Sequence, residues 1–168
     1  MSGEAPSREE PLKWFLDARF GLFVHWGCYS VLGRGEQIMS RDVIPLREYE
    51  PIAEEFRPAD DWAGRLAQTA VDAGAKYVVL TTRHHDSYCL FETETHDFTA
   101  PDTGPGRDLV REYVEACREA GLKVGFYYSV MNWRRPALWD AEGHPEDLPK
   151  MVDEVHTQVR ERIPHSGP

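Results

Sequence analysis

The chain is poor in cysteine, has no long apolar run and carries no basic excess. Its three cysteines, Cys28, Cys89 and Cys117, are an odd set without metal-ligand spacing, which argues against a disulfide framework and leaves all three expected as reduced thiols. No stretch approaches the roughly 18 apolar residues of a membrane-spanning helix, and residues 1–10 lack the apolar core of a signal peptide, so a cytoplasmic location is expected. Acidic residues outnumber basic ones by 29 to 19 and are spread along the chain. The resulting formal charge of −10 disfavours nucleic acid or an anionic membrane as partner and leaves a neutral small molecule as the easier one. A phosphate loop, a Gly-x-Ser-x-Gly elbow and a dinucleotide fingerprint are also missing, which disfavours NTPases, serine hydrolases and NAD enzymes. With 168 residues, 41% hydrophobic and 29% charged, the chain has the profile of one soluble globular domain.

What is present is one pattern written twice: a helix-like stretch, Ala-Gly-x-Lys, then an apolar strand-like run ending in polar and aromatic residues. Asp61 to Lys76 runs into Tyr77–Thr82 and Arg83-His84-His85-Asp86; Asp108 to Lys123 runs into Val124–Ser129, with Asn132-Trp133 beyond. The apolar positions Trp62, Leu66, Ala67, Ala70 and Ala73 match Leu109, Tyr113, Val114, Cys117 and Ala120, the buried stripe of a helix. Asp61 and Asp108 are expected to cap the free N–H groups, and Gly74 and Gly121 to end each helix at positive φ.

Around these units, residues 1–10 read as a flexible tail and Leu12–Asp17 as a short helix or turn. Arg19–His25 is a nearly continuous apolar strand, as expected when both faces are covered. Residues 28–58, with Gly33, Gly35, Pro45, Pro51 and Pro58, read as a long functional loop holding one short helix near Leu46–Glu55. Residues 134–147 read as another loop. Asp147–Ile163 reads as a helix with the stripe Leu148, Met151, Val152, Val155, Val159 and Ile163; Pro164–Pro168 has no strand character, so a fourth strand is missing. Alternating strands and helices predict an α/β protein with parallel pairing through right-handed crossovers. In barrel and doubly wound versions alike, working residues gather at the C-terminal ends of strands.

Those ends carry His25-Trp26-Gly27, His84-His85-Asp86 and Tyr127-Tyr128-Ser129 with Trp133. Adjacent His84 and His85 point to opposite faces of a regular strand, and both enter one pocket only if the strand breaks there. Three readings stay open for them: satisfied surface histidines, a Zn²⁺ site with His25 and Asp86, or hydrogen bonding to sugar hydroxyls with Asp86 orienting an imidazole. Trp26 beside His25 suits a sugar, whose apolar ring face packs on an aromatic, although such a Trp is also a common core residue. Glu36 on composition alone is a solvated charge. One of Tyr127 and Tyr128 faces inward, and periodicity does not say which. Arg83 and the Arg134-Arg135 pair read as solvated.

Phe20–Gly27, Lys76–Asp86, Arg107-Asp-Leu-Val110 and Gly125–Ser129 followed by Trp133 together resemble the α-L-fucosidases of glycoside hydrolase family 29. The likeness runs from about Trp14 to Val159. It implies an incomplete (β/α)8 TIM-barrel-like fold with about three β/α units, residues 11–168 forming the N-terminal part of a glycosidase catalytic domain. It also implies a retaining exo-acting α-L-fucosidase that hydrolyses terminal α-L-fucose from glycoconjugates without cofactor or metal. His25, His84, His85 and Tyr127 match fucose-contacting positions, and Glu36 and Gln37 match a loop Gly-Glu-Trp pattern in which Gln37 replaces the usual Trp. Ser87-Tyr88 and Phe91 are further departures. The family's nucleophilic Asp ends a fourth strand, so it would fall beyond Pro168, as would the usual acid/base Glu; Glu36 remains an acid/base candidate and no catalytic residue is assigned in this chain. The expected partners are α-L-fucosides, together with self-association or a chain completing the barrel. The alternatives are a non-catalytic fucose-binding fragment and the remnant of an incomplete gene.

Overall fold

A computed structural model describes residues 12–162; the expected tail 1–10 and the segment 164–168 lie outside the described residues. Helix α1 spans Lys13–Ala18, strand β1 Leu22–Val24, and a 3₁₀ turn Cys28–Leu32. Short helices α2 (Ile38–Arg41), α3 (Leu46–Tyr49) and α4 (Ile52–Glu55) follow. Then come α5 (Trp62–Asp72), β2 (Tyr77–Arg83), α6 (Leu109–Glu119), β3 (Lys123–Tyr128), a 3₁₀ turn Pro136–Leu138 and α7 (Asp147–Arg162). The three strands form one parallel sheet in the order β1-β2-β3.

The two repeated units fold in parallel fashion. Helix α5 buries Ala63, Ala67 and Ala70, and α6 buries Leu109, Val110, Tyr113, Val114 and Cys117. Both helices end in the same six-residue closure. Gly74 and Gly121 stand at φ of 80° and 72°, and the next residue donates back across the glycine, Ala75 N to Ala70 O at 2.9 Å and Leu122 N to Cys117 O at 2.8 Å. Their starts differ. Asp108 accepts from Arg111 N at 2.9 Å as expected, whereas Asp61 makes no such cap because its backbone already belongs to the turn in which Trp62 N donates to Ala59 O.

Three expectations need correction. Strand β1 is three residues long rather than seven: Arg19 turns at φ 57° to close α1, and Trp26 is held by the Thr81 side chain instead of by main-chain pairing. Its faces are not both covered among the described residues, since Phe23 is 52% exposed. The stretch 28–58 is no open loop, because its short helices bury Cys28, Tyr29, Ile38, Met39, Tyr49, Ala53 and Phe56 in the core. The apolar stripe expected along α7 is split, with Leu148, Val152 and Val159 exposed and Met151 and Val155 half-buried, while Asp147, Glu154 and Gln158 are buried.

Candidate functional site

Between β2 and β3 the pairing runs Thr81 to Tyr127 and then Arg83 to Tyr128, so β2 carries one extra residue. This bulge re-aims the residues beyond it. The strand stops at Arg83, and His84 and His85 lie on one side with ring centroids 4.2 Å apart. The end of the strand that lets both histidines face the same side is therefore present.

Around them the ends of all three strands converge. His25, just past β1, lies 5.7 Å from the His84 ring and 5.7 Å from Tyr127, which stands near-parallel to His84 at 5.9 Å. Phe23 backs His25 at 4.6 Å, and Tyr29 and Trp133 close on His84 and His85 at 5.6 and 5.0 Å. The inward tyrosine is Tyr127; Tyr128 instead donates to Gln158 Oε1 at 2.7 Å and lies under the Arg83 guanidinium. Glu36 is partly exposed on the loop before α2, close enough that its charge acts on His84, His85 and Tyr29. Gln37 is exposed at the head of α2.

Burial, then the neighbouring His85 and His25, pushes His84 down to about 4, with Glu36 pulling the other way. Burial, then Arg83, also lowers His85. Both imidazoles are thus neutral at pH 7, each with one donor and one acceptor, which suits hydroxyl groups. His85 Nδ1 is engaged by Ser129 Oγ, leaving its Nε2 for a ligand. His84 Nδ1 is buried with no hydrogen-bond partner among the described residues.

Two neighbours do not join the site. Trp26 turns into an aromatic stack with Trp62 at 4.4 Å and Phe56 at 4.9 Å, since the Thr81 clamp fixes its backbone facing the α5 side. Asp86 is fully buried and accepts from Tyr49 Oη at 2.6 Å, Tyr88 N at 3.1 Å and Cys28 Sγ at 3.5 Å, so it neither orients an imidazole nor reaches a metal with His25. Among the described residues no group of three or more His, Cys, Asp or Glu side chains is arranged to hold a metal ion, and no helix is long and apolar enough to cross a membrane. The three cysteines are buried and unbridged.

Sequence reasoning missed the support beneath the pocket. Arg83, read as solvated, is 1% exposed and pairs with Glu154 at 2.7 Å while its guanidinium also donates to Ser129 O and to Met131 O. Arg135 reaches Glu154 at 3.1 Å, and Arg134 pairs with Glu50 at 2.7 Å. Ser129 therefore links His85 to Arg83. The available signal was an arginine inside a strand whose neighbours are apolar or Thr.

Parallel strands alternating with helices, with imidazoles and a phenol gathered at the strand ends, define an α/β protein whose polar and aromatic side chains collect at the C-terminal edge of its sheet. The family model described as alpha-L-fucosidase matches residues 4–165. This chain belongs to the alpha-L-fucosidase family. The tissue alpha-L-fucosidase of Bos taurus is 34% identical over 145 residues, 73% of this chain and 30% of that protein. The plasma alpha-L-fucosidase of Homo sapiens is 31% identical over 174 residues, 90% of this chain and 37% of that one. Among solved structures, alpha-L-fucosidase isoenzyme 1 from Paenibacillus thiaminolyticus superposes with a TM-score of 0.87 at 40% identity, covering 95% of this chain and 41% of the other. A Bacteroides thetaiotaomicron alpha-L-fucosidase trapped as a covalent intermediate with 2-fluoro-fucosyl fluoride gives 0.85 at 26% identity, covering 98% and 41%. The chain thus spans about a third of the length of the curated relatives it matches.

Proposed function

We propose that residues 11–168 form the N-terminal part of a retaining α-L-fucosidase barrel, strands one to three of a (β/α)8 array, and hold the fucose of terminal α-L-fucosides. The observation that carries this reading is the convergence of His25, His84, His85 and Tyr127 at three parallel strand ends. Neutral imidazoles exchange hydrogen bonds with sugar hydroxyls, Tyr127 and Trp133 pack on the apolar ring face, and Gln37 borders the opening. The Bacteroides relative trapped as a covalent intermediate supports the retaining assignment.

Double displacement needs two carboxyl groups about 5 Å apart. Among the described residues Glu36 is the carboxylate whose charge reaches His84 and His85, while Asp86 is locked behind Tyr49. Glu36 is thus the acid/base candidate, and the nucleophile comes from a segment outside these residues. The strand β3 edge and the exposed Leu148, Val152 and Val159 favour completion by further polypeptide or self-association, at a location we take as cytoplasmic. The test is hydrolysis of 4-nitrophenyl α-L-fucoside by the chain alone and with a polypeptide supplying the remaining strands. Activity only in the mixture supports the reading; activity alone means that carboxylates within 168 residues suffice.

That Glu36 is, among the described residues, the one carboxylate near the imidazoles not locked in the core favours a second reading, a fucose-binding module without hydrolysis. The mixed hydrolysis assay separates them: a module binds L-fucose in calorimetry but gains no turnover from the complementing polypeptide.

A further inference from the structure

Ser129 stands directly past β3, where the register of Arg83 with Tyr128 brings it opposite the end of β2, and its N donates to Arg83 O at 3.0 Å. It is buried, and among the described residues its Oγ meets Met131 N at 3.1 Å, Met131 O at 3.5 Å and, nearest, His85 Nδ1. A backbone N–H only donates, so Oγ accepts from Met131 N, closing a tight turn. The hydroxyl then has one proton and two candidate acceptors. Met131 O lies beyond the usual range for a hydroxyl donor and already accepts from the Arg83 guanidinium at 3.2 Å. The proton therefore goes to His85 Nδ1.

That bond fixes the other side of the ring. Burial, then Arg83, lowers the pKa of His85, so the imidazole is neutral at pH 7, and a neutral imidazole that accepts at Nδ1 carries its proton at Nε2. The ring is also held in place. It packs against His84 at 4.2 Å and Trp133 at 5.0 Å, and Trp133 N donates to His85 O at 2.8 Å. His84 is the contrast: its Nδ1 is buried with no hydrogen-bond partner among the described residues, so no bond at that atom selects its tautomer.

We propose that Ser129 is a positioning residue that locks His85 as the Nε2–H tautomer, so that His85 meets fucose as a hydrogen-bond donor and takes a sugar oxygen as acceptor. The inference rests on the fucoside reading of the imidazole cluster. A donor whose proton and ring plane are set beforehand spares the ordering that an unfixed imidazole undergoes on binding.

The test is nitrogen-15 NMR of the His85 ring in the full chain at pH 7, assigned through His85→Gln, together with L-fucose calorimetry in the presence of the polypeptide supplying the remaining strands. The parent chain is expected to show a protonated Nε2 and a bare Nδ1 before any sugar is added. Ser129→Ala keeps both main-chain bonds to Arg83 and is expected to give averaged signals from two tautomers and about tenfold weaker L-fucose binding. Ser129→Thr returns the hydroxyl and is expected to restore the parent tautomer and most of the affinity. A proton on Nδ1 in the parent chain overturns the lock and leaves the fucoside reading standing. So does a Ser129→Ala chain that keeps the parent tautomer, or one that loses it without losing affinity. The expected tautomer without any L-fucose binding by the parent overturns the fucoside reading and, with it, the donor role of His85.

Discussion

Helices α6 and α7 seal the same α/β layer with opposite chemistry on their buried sides. Helix α6 buries Leu109, Val110, Tyr113, Val114 and Cys117, and its one buried hydroxyl is satisfied by Val78 O at 2.6 Å and Gly125 O at 3.2 Å. Helix α7 buries Glu154 and Gln158 against Arg83, Asn132, Arg135 and Tyr128 and leaves Leu148, Val152 and Val159 in solvent. Apolar burial adds roughly 1.5–3 kcal/mol per large side chain with little demand on geometry. A buried ion pair returns little net stability, because desolvation cancels most of the attraction, yet it fixes position sharply. The difference teaches that α6 holds the sheet together, whereas α7 sets where Arg83, and through it Ser129 and His85, stand.

The sharpest way to break this contrast is Glu154→Ala. It leaves the Arg83 guanidinium buried without its anion and is expected to cost about 3–5 kcal/mol in urea unfolding. Replacing both partners, Arg83→Met with Glu154→Leu, should recover more than half of that loss. The double variant should nevertheless bind fucose more weakly than the parent chain, because Ser129 loses the group that holds its carbonyl. Full recovery of binding would show that the pair serves stability alone.

A smaller effect separates the helices by pH. Burial raises Glu154, but Arg83 and Arg135 outweigh it and leave its carboxyl below the usual range, so its stabilisation is present above about pH 4.5 and is lost as pH falls through the lower folded value. His96, beside Gln158, is lowered by burial; the unfolded chain binds its proton near 6.5 while the folded chain does not, so stability falls as pH drops below that point. On α6 the sign reverses. Burial pushes Cys117 from 9.0 up to about 11, so the folded state keeps a proton that the unfolded state releases, and stability declines as pH rises from 9 toward 11. Amide NMR signals should therefore show α7 loosening in acid and α6 in alkali. Simultaneous loss of both helices at either extreme would mean that they unfold as one unit.

The same contrast explains what could be read from the residues. The α5 and α6 stripes and their closing glycines were legible because helix periodicity and left-handed φ are local properties. Strand ends collect functional side chains in any parallel sheet, which singled out the places of His25, His84, His85 and of one of Tyr127 and Tyr128; the choice of Tyr127, and of sugar contact for the histidines, came from the family resemblance. Shared access for His84 and His85 depended on the extra residue at Thr82, which no local pattern marks. Arg83 and Glu154 are 71 residues apart, so nothing along the chain signals that they meet. Asp86 looked available beside the histidines, but its partners Tyr49 and Cys28 come from the segment that reads as a loop. On α7 the stripe is real as a pattern, and the direction of its exposed part is set by the buried charges on the opposite side.

The smallest expected effect tests that direction. Val152 is 52% exposed on α7, whereas Val114 occupies the inner face of α6 at 6%. Val114→Ser removes buried apolar surface and introduces a hydroxyl into the core, which should cost about 2 kcal/mol or more. Val152→Ser exchanges one solvated side chain for another and should stay within about 0.5 kcal/mol at low protein concentration. Because both residues belong to amphipathic helices of the same chain, composition offers no reason for them to differ. A loss at Val152 that matches Val114 would mean that the outer stripe of α7 is covered in solution. If that loss grew with protein concentration, the cover would be a second copy of the chain, as the proposed self-association requires.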